Sequence, residues 1–293
     1  MGTLITTVDW LEKNEKLDEL LNHAAALTTH AMNHGFEAEV IKISSDKESF
    51  VLKTWSKSSK PDIQFQYHLL NALFERGLSV SRPVAWGIDP NGDKVLLTTF
   101  DGGPVLKLNG KKMADIAKIL SSIHRIHMEE IEQIQLPKYD FIGYFFSGVR
   151  EHPDLAQALD ALVQKTPITQ GHIIHGDFHM ANFLEDNGRY TVIDWTNGQL
   201  GDPRYDFAWS LALIRIYVSD RNADAFRNAY LLEDEIDLEE LEAFEALACL
   251  RWLLLNRSGG TPKGPSTMGK VKSLVMNNRY LNELGLKDFS AKR

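Results

Sequence analysis

Two aspartates and an asparagine bracket a short hairpin beyond the middle of the chain, and their spacing constrains the fold more than any other feature. His175-Gly176-Asp177-Phe178-His179-Met180-Ala181-Asn182 runs into two strand sequences, Asn182–Glu185 and Arg189–Asp194, around Asp186-Asn187-Gly188. If Glu185–Gly188 is a type I turn with Gly188 left-handed, the loop has three residues and Glu185 pairs with Arg189. Asn182 then pairs with Val192. Alternation puts Asn182, Val192 and Asp194 on one face, with Asn182 diagonal to Asp194 at about 7–8 Å. A two-residue Asn-Gly turn would shift the register by one and send Asn182 and Asp194 to opposite faces. A site shared by the two on this geometry therefore requires the three-residue loop.

The order D-x-x-x-x-N followed by a separate Asp matches the spacing of the catalytic Asp, the magnesium-binding Asn and the magnesium-binding Asp of protein kinases. The flanks differ, with HGD in place of HRD and Ile193-Asp194-Trp195 in place of DFG. Together with Gly201-Asp202-Pro203-Arg204-Tyr205-Asp206-Phe207-Ala208 just downstream, residues 175–208 resemble the aminoglycoside phosphotransferase and choline kinase family, small-molecule relatives of the protein kinases. The resemblance implies an α+β, two-lobed protein-kinase-like fold. A small antiparallel-sheet N-lobe over 1–100, with a hinge at about 97–103, would precede a larger, mainly helical C-lobe over 104–293. It also implies phosphorylation of a small-molecule hydroxyl at the expense of ATP or GTP. The acceptor would be an aminoglycoside or other antibiotic, or a metabolite such as choline, homoserine, methylthioribose or a fructosamine. An inactive nucleotide-binding scaffold is the rival from another class.

The chemistry accounts for these residue types. A γ-phosphoryl group is densely charged, so its transfer is mostly positioning and charge neutralisation. Mg2+ takes hard oxygen ligands, which Asn182 and Asp194 supply alongside nucleotide phosphates. Asp177 is then free to orient the acceptor hydroxyl and take its proton. His175 is expected to brace this loop, and Asp202 and Asp206 to support it through cap and first-turn chemistry.

The nucleotide residues come from the resemblance. Lys53, in the strand Ser49–Trp55, resembles the lysine that contacts the α- and β-phosphates, and Gln66 stands where its glutamate partner is expected. No G-x-G-x-x-G separates the first strands; Ser44-Ser45-Asp46-Lys47-Glu48-Ser49 stands there, so the Ser44 and Ser45 hydroxyls and backbone N–H groups would approach the phosphates. Val95–Phe100 runs into Asp101-Gly102-Gly103 at the hinge, which places Thr98 and Phe100 beside the nucleotide.

Elsewhere the pattern reads as a helix over Leu17–His34 and a strand over Ala38–Ile43 opened by Gly35. A helix over Pro61–Arg76 stops at Gly77, and two strands flank Asp89-Pro90-Asn91-Gly92. Met113, Ile116, Leu120, Ile123 and His127 form a helical core stripe, and Asp202-Pro203 starts a buried helix. The metal-like spacing of His172, His175 and His179 competes with the D-x-x-x-x-N reading. Gly264–Val271 nearly spells a Walker A loop but lacks its hydroxyl, and the acidic run Glu233–Glu240 reads as a solvated helix start. Tyr205, Trp209, Tyr217 and Trp252 are candidates for an acceptor pocket or a cation-binding cage, with core packing the reading that helical spacing favours.

At 293 residues and 43% hydrophobic, the chain can build one large or two medium cores. A net charge of −8 without a basic stripe disfavours nucleic acid, and the single Cys249 excludes an internal disulfide and reads as core. No leader and no apolar run of ~18 residues is seen, so a cytoplasmic protein without a membrane partner is expected. Nothing in the sequence specifies an oligomeric state.

Overall fold

The computed structural model describes residues 4–32, 38–131 and 134–286. The first elements are β1 (Asp9–Lys13), α1 (Glu15–Asn22), β2 (Thr28–Ala31), β3 (Glu39–Ser44), β4 (Ser49–Trp55), α2 (Ile63–Glu75), β5 (Pro83–Ile88), β6 (Lys94–Thr99) and β7 (Gly103–Pro104). Then come α3 (Gly110–His124), α4 (Phe141–Phe145), α5 (Pro153–Lys165), β8 (His172–Ile174), β9 (Phe183–Asp186), β10 (Arg189–Val192) and β11 (Gln199–Gly201). The chain closes with α6 (Pro203–Tyr217), α7 (Asp220–Glu233), α8 (Leu238–Arg257), α9 (Thr267–Asn277) and α10 (Arg279–Glu283). Two compact units result: Met1–Val105 with Asn182–Thr196, and Leu106–Ala181 with Asn197–Arg293.

The first unit is built on an antiparallel sheet of order β1-β5-β6-β4-β3-β2. Its core includes Ile43, Phe50, Leu52, Val84, Val95 and Leu97. The β3–β4 hairpin forms as expected, and α2 starts at the Asp62 cap and stops before Gly77, whose φ of 75° ends it. The expected helix over Leu17–His34 is corrected. α1 stops at Asn22, a 3-10 turn covers Ala24–Ala26, and β2 pairs with β3 at the sheet edge. β2 is exposed throughout, so it carries no apolar alternation, while Thr28 and Thr29 favour extended backbone. β1 lacks a readable period because a bulge between Trp10 and Glu12 interrupts it. Gly35 lies outside the described residues.

The hairpin β9–β10 groups with the first unit because β9 pairs with β7 and Val192 N–H donates to Ser79 O at 2.7 Å. Gly102 permits this approach: its φ is 105°, and a Cβ there would sit 2.3 Å from Glu185 O. The expected loop length is corrected. Asp186 pairs with Arg189 across a two-residue Asn187-Gly188 turn, with φ of 49° and 81°, the type I′ geometry that matches strand twist.

The second unit packs α3 against α7 and α6 against α8. Met113, Ile116, Leu120 and Ile123 are fully buried on α3. His127 does not complete their stripe: α3 ends at His124, which is buried, and His127 is exposed beyond it. Asp202 caps α6 and Pro203 opens it; Tyr205–Ile214 are buried without a break. Cys249 lies in the core, where burial pushes its thiol up to about 12. Among the described residues no helix is long and apolar enough to cross a membrane.

Candidate active site

In the second unit, the pairing of β8 with β11 sets Ile174 opposite Gln199 and delivers the chain to His175-Gly176-Asp177. The Asp206 carboxylate, fully buried on α6, accepts from His175 N at 2.8 Å and Gly176 N at 3.0 Å. His124 Nε2 lies 3.2 Å from the same carboxylate, and its Nδ1 lies 2.6 Å from the Tyr230 hydroxyl. Burial alone would raise the Asp206 pKa. The hydrogen bond and charge of His124, the charge of His175 and the His175 N–H more than offset it and hold the carboxyl low. Gly176 has φ of 78°, and a Cβ there would lie 2.7 Å from Asn197 O. HGD rather than HRD therefore follows from the close approach of this backbone.

Asp177 itself is 30% exposed at the side chain. Trp209 Nε1–H donates to its Oδ1 at 3.0 Å, and His179 Nε2 lies 3.4 Å from its Oδ2. His179 Nδ1 accepts from Ala181 N at 3.2 Å, which leaves Nε2 as the nitrogen that presents a proton toward Asp177. His175 Nδ1 accepts from Asp177 N at 3.3 Å. Burial raises the Asp177 pKa, but the hydrogen bond and charge of His179, the Arg251 charge and the Trp209 hydrogen bond outweigh it. The carboxyl is held far below the usual range.

In the first unit, Asn182 is buried at the end of a 3-10 turn, and its carbonyl accepts from Ile193 N at 3.0 Å. This puts Asn182 opposite Ile193, so the three-residue-loop argument for a shared face fails. Strict alternation does not reach Asp194 either, because the ladder ends at Val192 and Asp194 has φ of 67°. A non-glycine residue in this region is uncommon and marks a site held by its surroundings. Asp194 is exposed, and its Oδ1 accepts from Thr196 Oγ1 at 3.0 Å.

Lys53 is half-buried on β4, between Val40 and Leu96 of the neighbouring strands, with its Nζ 6.0 Å from the Trp55 ring centroid. Gln66 is 4% exposed, and its Nε2 has no hydrogen-bond partner among the described residues. The Ser44–Ser49 loop is closed by its own polar groups. Ser45 Oγ accepts from Lys47 N and Glu48 N at 3.2 and 3.0 Å, and Ser44 Oγ lies 3.0 Å from Ser49 Oγ. Thr98 is buried on β6 with its hydroxyl donating to Thr99 O at 3.3 Å, and Phe100 carries Lys42 Nζ at 3.8 Å from its ring centroid.

The sequence pattern of the phosphotransferase enzyme family matches residues 28–244. The chain belongs to that family. Over 58 residues it is 45% identical to hygromycin-B 4-O-kinase of Escherichia coli, a match spanning 18% of this chain and 17% of that relative. A thermostable mutant aminoglycoside phosphotransferase, solved with ADP and hygromycin B, has a similar fold at TM-score 0.64 and 15% identity, covering 92% of this chain and 99% of that one. The choline kinase LicA of Streptococcus pneumoniae gives TM-score 0.58 at 16% identity, covering 92% and 98%. The fold is thus the α+β, kinase-like one, and the protein is a small-molecule phosphotransferase.

Three contacts of this phosphotransferase escape sequence reasoning: Trp209 on Asp177, Arg251 on the loop, and His124 on Asp206. Arg251 NH1 donates to Gly176 O at 3.0 Å, and its guanidinium lies 4.1 Å from the Trp209 ring and 4.6 Å from Phe145. A signal exists in the sequence: Arg251 is the one charge within Ala246–Leu255. Asp202 accepts from Thr169 N and from the Arg204 guanidinium and backbone, beyond the cap role expected of it. No cluster of three His, Cys, Asp or Glu able to hold a metal occurs among the described residues, and His172 Nδ1 instead meets His124 O at 2.9 Å. Asp237 caps α8 inside the acidic run. Tyr205, Trp209 and Trp252 are buried, whereas Tyr217 is 39% exposed.

Asn182 supplies an amide oxygen and Asp194 a carboxylate oxygen, hard donors of the kind Mg2+ takes in company with phosphates and water, although the shared strand face expected for them does not form. These residue types fit such an ion.

Proposed function

We propose that this phosphotransferase moves the γ-phosphoryl group of ATP or GTP to a hydroxyl of a small, polyhydroxylated antibiotic of the aminoglycoside type, in the cytoplasm. The observation that carries this reading is the placement of Asp177: a partly exposed carboxylate, aimed by Trp209 and seated on a loop pinned by Asp206. The acceptor hydroxyl donates to Asp177, which orients the oxygen for in-line attack. As the new O–P bond forms and the bond to the leaving nucleoside diphosphate breaks, the hydroxyl proton passes to the carboxylate. Lys53 holds the donor phosphates. Asn182 and Asp194 hold Mg2+, which when bound neutralises the phosphate charge.

The local identity to a hygromycin kinase supports an antibiotic acceptor over an amino alcohol. The test is nucleoside diphosphate release by the purified protein with hygromycin B, other aminoglycosides, choline, ethanolamine and sugars. Stimulation by one or more antibiotics is expected. Stimulation by choline or ethanolamine alone would replace the acceptor class, and no stimulation by any hydroxyl compound would sink the transferase reading in favour of a scaffold.

A further inference from the structure

Arg251 sits near the middle of α8, 9% exposed, in an otherwise apolar stretch. None of the described carboxylates forms an ion pair with it. Its guanidinium instead lies between the faces of Trp209 and Phe145, at 4.1 and 4.6 Å, and donates to Gly176 O at 3.0 Å. Trp209 turns its other resource, the indole N–H, to Asp177 Oδ1 at 3.0 Å.

A buried cation without a paired carboxylate is a poor stabilising device, since apolar residues of similar volume often serve stability as well or better. What the guanidinium supplies here is planarity and charge. A planar guanidinium over an indole ring can stack on its face and limit its tilt, which a lysine ammonium cannot do, and the charge lies beside a loop ending in a carboxylate. We infer that Arg251 is a positioning residue for phosphoryl transfer: through Trp209 and the Gly176 carbonyl it locks the Asp177 carboxylate in its reactive orientation. The inference rests on the reading of Asp177 as the group that receives the hydroxyl proton.

Arg251→Met, Arg251→Lys, Trp209→Phe and Asp177→Asn are compared with the wild type in the full-length protein. Three quantities are read: nucleoside diphosphate release to the best acceptor or to water, thermal midpoint, and the 15N-indole spectrum. Arg251→Met keeps or raises the thermal midpoint and leaves the nucleotide KM unchanged, while kcat falls about 10²-fold, the effect of misplacing a reacting group by roughly an ångström. Arg251→Lys recovers part of that loss. The Trp209 indole resonance, identified by its absence in Trp209→Phe, shifts in Arg251→Met. An unmoved resonance overturns the inference whether or not an acceptor has been found. So does failure of Arg251→Met to fold alongside wild-type turnover in Arg251→Lys, which would assign the side chain to stability alone. If Asp177→Asn is inactive while Arg251→Met is fully active, only the role of Arg251 falls; wild-type turnover in Asp177→Asn removes the reading beneath it.

Discussion

The loop around Asp177 and the β4–α2 region around Lys53 are built on opposite principles. Around Asp177, both carboxylate oxygens meet donors, and the preceding two backbone N–H groups are held by a carboxylate that is itself held by His124. Around Lys53, the described residues give the ammonium only a distant ring, and among them the buried Gln66 amide nitrogen has no hydrogen-bond partner. With Asp177 and Lys53 in the roles proposed above, the contrast separates two tasks. A group that must aim at one reacting atom is fixed in advance, because misplacement costs rate directly. A group that grips a flexible polyanion is left with unspent hydrogen-bonding capacity.

The sharpest way to break this contrast is Asp177→Asn. If Asp177 is the proton acceptor, as proposed, its loss is expected to cost about 10²–10⁴-fold in kcat with nucleotide affinity nearly unchanged, since that role involves the acceptor hydroxyl and not the donor phosphates. Calorimetry that finds affinity and rate falling together would place Asp177 on the nucleotide side after all.

Asp206→Asn comes next and acts on stability as well as rate. Breaking a buried, multiply bonded carboxylate costs about 3–5 kcal/mol, and the loop it pins loses its alignment. The sign with pH follows from its lowered folded pKa. Its contribution is present above the unfolded value of roughly 3.9 and is lost as pH falls through the folded one. The gap in thermal midpoint between wild type and variant should therefore be widest near neutrality and narrow below about pH 4. A gap independent of pH would mean that the hydrogen-bond geometry, not the charge, carries the brace.

These two residues also mark how far sequence reasoning reaches. The Asp177–Asn182 spacing, the β3–β4 hairpin, the Asp202 cap and the buried α6 are all encoded within a few residues of one another, where turn chemistry and periodicity act. The β9–β10 register was not legible, because Asp186-Asn187-Gly188 suits both a three-residue loop and the type I′ turn that forms. Trp209 reads as buried from its helical spacing, whereas Arg251 has no reading from the sequence, and their contacts to Asp177 and Gly176 span 32 and 75 positions. Periodicity specifies which face is buried and not what it meets.

The hairpin supplies a prediction of intermediate size. Asp194→Ala should weaken magnesium-dependent nucleotide binding more than Asn182→Ala, since a carboxylate brings a full charge to the ion and an amide only a dipole. Titrating Mg2+ at fixed nucleotide reads this directly. Equal losses would point to the buried Asn182 acting through the fold of its 3-10 turn, and the positive φ of Asp194 would then have no metal to explain it.

The smallest effect tests the loose side of the contrast. Gln66 is 4% exposed and its Nε2 lacks a partner, and a buried unsatisfied donor costs about 1–3 kcal/mol. Gln66→Leu removes that amide at similar volume, so unfolding in urea should shift to higher midpoint by the equivalent of about 1 kcal/mol. Lys53→Ala, by contrast, should leave stability alone and raise the nucleotide KM. If Gln66 serves only the fold, the leucine variant keeps its nucleotide KM while gaining stability. A higher KM in Gln66→Leu would show that the amide is held in reserve for the donor phosphates or for Lys53, and that even the sparsely bonded side of this enzyme is prepared for its ligand. Gln66→Glu then decides between those two partners: a new carboxylate near Lys53 lowers the KM, whereas one facing phosphate raises it.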